Sequence, residues 1–121
     1  SYGVSVRTGR LGGYVFSLYP GQVYAVGRWG GIIGTRGLNQ VGGSLAYTYL
    51  VRQRESIVIA SSGINEIQVK TEGAKLLFYV NGELLVDVVD ESFDRGKVGL
   101  FVGGNERVAF DNLIIVNTYE P

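Results

Sequence analysis

The densest group of ionisable side chains is acidic: Asp87, Asp90, Glu91 and Asp94 lie within one short stretch. Carboxylates spaced this way around a turn could hold Ca²⁺, which takes carboxylate and carbonyl oxygens in a flexible shell. The favoured reading is a solvated turn, since the spacing matches no EF-hand loop. Other chemistry is narrowed by what the chain lacks. It has no His and no Cys, so the commonest general base, the commonest transition-metal ligand, thiolate nucleophiles and disulfides are all excluded. No Gly-x-Ser-x-Gly and no Gly-x-Gly pair occurs, which removes the nucleophile elbow, the dinucleotide fingerprint and the Walker loop.

Aromatic residues remain. Tyr14, Tyr19, Tyr24, Trp29, Tyr47 and Tyr49, together with Arg28, sit in runs that read as strands. An aromatic ring offers a flat apolar face, and Tyr and Trp add a polar tip, a combination suited to a sugar ring or a protein partner. Trp29, Arg28, Tyr24, Tyr47 and Tyr49 form the candidate ligand-binding set, with Trp29 foremost; the alternative is that several of these rings fill the core. No catalytic residue and no metal ligand is assigned.

The elements that must position these residues are strands. Asn81-Gly82 lies between two alternating runs, Leu76–Val80 and Leu84–Val89, the strongest local signal for a hairpin with a two-residue type I′ loop. Alternation also marks strands at Tyr2–Arg7, Tyr14–Tyr19, Gln22–Trp29 and Ser44–Arg52, where Leu45, Tyr47, Tyr49 and Val51 are expected to share a face. A short apolar strand is expected over Ser56–Ala60, further strands at Ile67–Lys70 and Val98–Val102, and a last one over Val108–Val116. Leu76/Phe78/Val80 and Val98/Leu100/Val102 are the expected inner rows. Positions 27–43 contain seven glycines and read either as a long loop with a brief strand at Ile32-Ile33 or as a bulged sheet rim. No stretch shows a helical period.

Nineteen glycines and two prolines among many β-branched and aromatic residues suit strands joined by tight turns, and 121 residues suffice for one domain spanning 1–121. No apolar run approaches the ~20 residues of a membrane helix, so membrane insertion is not expected. The chain begins at Ser1 without Met and is read as processed or as part of a longer protein. Net charge is zero, but residues 1–54 carry six Arg and no acid, while residues 55–121 carry eleven acids against five bases. The fold either interleaves these halves or presents opposite faces that attract a charged ligand or another copy. Scattered Arg without Lys clusters makes a poor phosphate track, so nucleic acid is not an expected partner.

The C-terminal half contains Asn65-Glu-Ile-Gln-Val, Phe78-Tyr-Val-Asn-Gly, Asp90 with Phe93, Gly96-Lys-Val-Gly-Leu and Phe110-Asp-Asn-Leu. This pattern resembles the concanavalin A-like lectin/glucanase superfamily in its laminin-G-like (LamG-like) jelly-roll branch. Tyr2-Gly-Val and Gly13-Tyr-Val-Phe-Ser-Leu-Tyr are similar to that family's middle strands. The resemblance implies an all-β, two-sheet antiparallel β-sandwich of the jelly-roll kind, with the aromatic set lining one sheet and a buried Asp111 bonded to backbone amides of the last strand. It also implies strands ahead of Ser1 that pair beside the final strand. Their absence is expected to mean an excerpt, a minimal variant, or an open edge supplied by another copy. The glucanases' Glu-x-Asp-x-x-Glu is missing.

The function expected is a non-catalytic carbohydrate-binding or adhesion module, extracellular or on a cell surface, with a polysaccharide or glycan as partner. The alternative is a structural subunit that assembles with itself through strand edges and opposite charges, and a remoter one is a glycoside hydrolase-like enzyme.

Overall fold

The computed structural model describes residues 1–30, 40–41, 44–104, 107–111 and 113–115. Among them there is no helix; the chain forms ten strands, β1 (Tyr2–Gly9), β2 (Gly12–Tyr19), β3 (Val23–Gly30), β4 (Gln40–Val41), β5 (Ser44–Leu45), β6 (Tyr47–Glu55), β7 (Ile67–Glu72), β8 (Lys75–Val80), β9 (Glu83–Val89) and β10 (Lys97–Val102). They build a five-stranded sheet in the order β10-β1-β2-β3-β6, a three-stranded sheet in the order β7-β8-β9, and a small β4-β5 hairpin. All paired strands are antiparallel. The chain crosses to the smaller sheet after β6 and returns after β9.

Period-two alternation decides which side chains meet between the sheets. Tyr14, Phe16 and Leu18 of β2 and Tyr24 and Val26 of β3 point inward and are buried, with Val6 and Val51 beside them. The smaller sheet answers with Leu76, Phe78 and Val80, all buried, so the first expected inner row is the core of its layer. The two sheets meet at Phe16 and Phe78, whose ring centroids are 5.0 Å apart. This is a β-sandwich with one continuous apolar seam.

The turns follow their residues. Asn81 and Gly82 both have positive φ, 52° and 82°, as a type I′ loop requires. Asn81 does more than turn the chain: its Oδ1 accepts from the Glu66 amide at 2.9 Å, and its Nδ2 donates to the Val58 carbonyl at 2.8 Å. Arg7 also has positive φ, 51°, at a bulge between Ser5 and Thr8 in the pairing with β10. That conformation is unfavourable for a residue with a Cβ. It lets the guanidinium donate to the carbonyls of Gly73 at 2.7 Å and Phe93 at 3.1 Å, on connections of the opposite layer.

Four expectations are corrected. Ser56–Ala60 is a turn, not a strand; Ile59 is buried there, but the Ser56 amide bonds to Gln22 and the Gln22 side chain to the Ile59 carbonyl, so no ladder forms. A register shift between β3 and β6 separates Tyr49, opposite Gly27, from Val51, opposite Val26. Val51 therefore turns into the core rather than sharing a face with the tyrosines, as expected of a bulge. Residues 108–111 and 113–115 lie outside any strand, and Asp111 is exposed rather than buried. The second inner row, Val98/Leu100/Val102, occupies the inward side of β10 yet remains exposed, because the smaller sheet does not extend over it. The expected strand at Ile32-Ile33 lies outside the described residues.

Truncating a ring at the seam removes contacts from both layers at once. Phe78→Ala is expected to lower unfolding stability by about 3–5 kcal/mol, read as a reduced midpoint with unchanged slope in urea denaturation. A loss below about 1 kcal/mol would mean that the sheets do not depend on this contact.

Candidate functional site

Two neighbouring positions on β3 separate two kinds of chemistry. Arg28 points inward and Trp29 outward, as alternation demands. Arg28 is 8% exposed, Tyr24 is 5% exposed, and Trp29 is 46% exposed. Of the candidate ligand-binding set, the structure gathers Trp29, Tyr47 and Tyr49 on the outer face of the five-stranded sheet. It places Arg28 and Tyr24 on the opposite side of the same sheet, where they do not reach that surface. Tyr24 packs edge-on against Phe16 in the core, with centroids 6.3 Å apart.

Arg28 is engaged by a largely buried carboxylate. Its Nη1 forms an ion pair with Asp90 Oδ2, and its Nε donates to the Gly30 carbonyl at 3.1 Å. Asp90 Oδ1 accepts from the Tyr14 hydroxyl at 2.6 Å and from the Ser92 amide at 2.9 Å. The Tyr14 hydroxyl in turn accepts from the Phe93 amide at 3.1 Å, and the Tyr14 and Phe93 rings meet edge to face. Every buried side-chain nitrogen and oxygen among the described residues has a partner. Burial acts to raise the Asp90 pKa, but the bonds from Tyr14 and Ser92 and the Arg28 charge outweigh it and hold the carboxyl below its ordinary value of 3.8. Burial, reinforced by the bond to Asp90, pushes the Tyr14 hydroxyl up to about 12. This network ties β3 of one sheet to the end of β9 in the other, so it is an internal clamp.

The same clamp bears on the proposed calcium ligands. Asp90 turns inward to Arg28, Asp87 faces Lys75 at 3.7 Å, and Asp94 faces Arg95 at 3.4 Å. Among the described residues no three His, Cys, Asp or Glu side chains gather around one point, and the four acids Asp87, Asp90, Glu91 and Asp94 do not form one set.

On the outer face, Trp29 and Tyr47 meet edge to face with centroids 4.8 Å apart, and Tyr47 and Tyr49 do so at 5.2 Å. Tyr49 carries the Arg52 guanidinium over its ring at 5.4 Å and accepts from Gln53 at 2.9 Å. Tyr19 joins the strip through hydrogen bonds with Tyr49 and Ser17. Burial first, then the neighbouring tyrosines, push Tyr47 up to about 12, so its hydroxyl stays protonated through mildly alkaline pH. Tyr47 can lie flat only because residue 27 is glycine: a Cβ there would stand 1.9 Å from the Tyr47 hydroxyl oxygen.

The strip borders a groove of about 460 Å³. Its floor is Ser5 of β1 and Val15 and Ser17 of β2; Trp29 and Tyr47 stand on one side and Phe101 of β10 on the other, with Thr8 also lining it. From β10 to β3 is three strand spacings, about 14 Å. The groove is thus an aromatic-walled trough with a hydroxyl-bearing floor and, among the described residues, no charged lining residue. Sequence reading missed Phe101, Ser5 and Ser17, which belong to the groove only because β10 returns to pair with β1. Tyr19 was among the aromatic residues noted, but its place beside Tyr49 depends on the β2–β3–β6 order.

Two outcomes test this arrangement. Asp90 is depressed in the folded state, so its stabilisation is full above the unfolded value near 3.8 and is lost as pH falls through the folded value. Asp90→Asn is expected to cost about 3 kcal/mol at pH 7 and to flatten the acid limb of the stability–pH curve; an unchanged limb would assign acid sensitivity elsewhere. Trp29 is the only tryptophan, so its emission reports on the strip. Gly27→Val is expected to displace Tyr47, red-shift Trp29 emission and increase acrylamide quenching. An unaltered spectrum would show that the strip does not need the glycine.

Compared with protein-family models, curated proteins and solved structures, the chain matches none.

Proposed function

We propose that this chain is a non-catalytic carbohydrate-binding or adhesion module, built on a concanavalin A-like jelly roll, that takes a glycan on the outer face of its five-stranded sheet. The observation that carries the reading is the Trp29–Tyr47–Tyr49 strip standing beside a groove floored by serine hydroxyls. Stacked aromatic edges and faces suit the apolar side of a pyranose ring, while Ser5 can exchange hydrogen bonds with its hydroxyls and Thr8, whose own hydroxyl donates to the Lys97 carbonyl at 2.7 Å, can accept one. The β-sandwich and the outward aromatic strip support the lectin-like comparison drawn from the sequence. Such a module works outside the cell or at its surface, where glycans are met.

The groove lining favours a neutral polysaccharide. Among the described residues no Lys or Arg stands in it to recognise uronate or sulfate, and Tyr47 remains protonated and able to donate. No Asp or Glu is among its described lining residues either, and glycoside hydrolysis needs two carboxyl groups flanking the bond. The proposed role is therefore retention of the sugar, with no bond broken.

Affinity electrophoresis against a panel of neutral and acidic polysaccharides tests the reading. Retardation by at least one neutral glycan is expected, with Trp29→Ala weakening it about tenfold or more, as for loss of an aromatic anchor, and with no reducing sugar released. Binding confined to acidic polymers, equal binding by Trp29→Ala, or no binding at all would count against it.

A further inference from the structure

The two layers are unequal, and the inequality leaves a slot of defined shape. β7 lies over β1, because both its ends are tied there. Asn65, just before β7, donates to the Tyr2 hydroxyl at 2.9 Å, and the Gly73 carbonyl, just after it, accepts from Arg7 at 2.7 Å. β7 is the last strand of its sheet. One step further out in the larger sheet is β10, with no described strand above it. Its inward row, Val98, Leu100 and Val102, is 37–43% exposed, although Leu100 and Val102 pair with Val4 and Tyr2, which pack against the core. One extended strand placed beside β7 would meet the backbone edge of β7 that no described strand pairs, and would cover the apolar row of β10 as well.

The chain also carries a stretch suited to that slot and not in it. Phe110, Leu113, Ile114 and Ile115 lie outside any strand and are 38–77% exposed. The Phe110 ring touches Tyr2 at 6.4 Å, and an open cleft of about 590 Å³ lined by Val102, Arg107, Val108 and Ala109 lies at the end of β10. The start of the stretch, at Phe110, thus sits at the rim of the slot. Summed, the seven apolar side chains leave roughly 600–700 Å² open, close to one partner's share of a standard interface.

We propose that a second copy of this chain covers this surface, each copy laying its Phe110–Ile115 stretch into the other's slot beside β7 and over Val98, Leu100 and Val102. The exchange is reciprocal, so the assembly closes as a two-fold dimer and leaves neither stretch exposed. The area is what commits the slot to a second copy: two such surfaces together reach the size that a stable dimer needs. The groove at Trp29 lies on the opposite face of the five-stranded sheet and stays open in the dimer.

Sedimentation velocity on the full chain from low to high micromolar concentration, without glycan, tests this independently of the sugar reading. A dimer is expected. Leu100→Lys damages the slot and Ile114→Lys damages the inserted stretch; each is expected to weaken self-association about thirtyfold or more while circular dichroism keeps its strand signature. Ile114 is 77% exposed and outside the strands, so its variant folds even if the other does not. Mixing the two variants is expected to restore a heterodimer, since one intact slot then meets one intact stretch. A monomer at every concentration would overturn the proposal, whether or not the amides around Phe110 are protected from exchange, as would a dimer indifferent to both substitutions.

Discussion

Side chains at consecutive positions of a strand leave by opposite faces, and on β3 this constraint separates a positive charge from an indole by one residue. Because Arg28 enters the interior, it must meet an anion there, and Asp90 arrives from the end of β9 to meet it. Because Trp29 leaves by the other face, the sheet acquires a surface with an aromatic rim. The inner clamp and the outer groove are two consequences of one pleat. Tyr14 serves the clamp from β2 in the same way, while its alternating neighbours Val15 and Ser17 form groove floor.

Buried ion pairs seldom add much net stability, because desolvating both charges offsets most of their attraction. Their cost when broken is what gives this one its structural meaning. Sliding one sheet over the other would strand Arg28 or Asp90 without a partner, whereas an apolar seam such as Phe16 against Phe78 tolerates small displacements. The apolar seam holds the layers together, and the clamp specifies how they are aligned. Arg7 adds a second polar tie across the layers at the other side of the sheet, through carbonyls of Gly73 and Phe93.

Unequal layers give the molecule two dissimilar surfaces. Over β2 and β3 the three-stranded sheet covers the inner face fully, which is why Tyr14, Phe16, Leu18 and Val26 are buried to the limit. At β10 that cover runs out, and residues with the same alternation are left open. On the outer side, small residues such as Ser5, Ser17 and Gly27 keep the sheet low between its aromatic edges. The groove is therefore shaped as much by what the strands omit as by what they carry.

Local physics made much of this legible in the residues alone. Alternation located β1, β2, β3, β8 and β9, and Asn81-Gly82 announced its hairpin, because periodicity and positive-φ turns depend only on neighbours in the chain. The same alternation written along β3 already implied that Arg28 and Trp29 could not act on one ligand from one face. What sequence could not supply were partners distant in the chain. Arg28 with Asp90, Tyr47 lying over Gly27, and Phe101 facing Trp29 across β1 and β2 all require the sheet order. The bulge that turned Val51 inward, and the bonds from Gln22 that kept Ser56–Ala60 out of a ladder, depend on neighbouring strands. The chain's own residues thus determined that it would pleat and where it would turn. Only the stacking of one sheet on another decided which side of each pleat became interior, because burial is a property of what lies opposite and not of the residue that is buried.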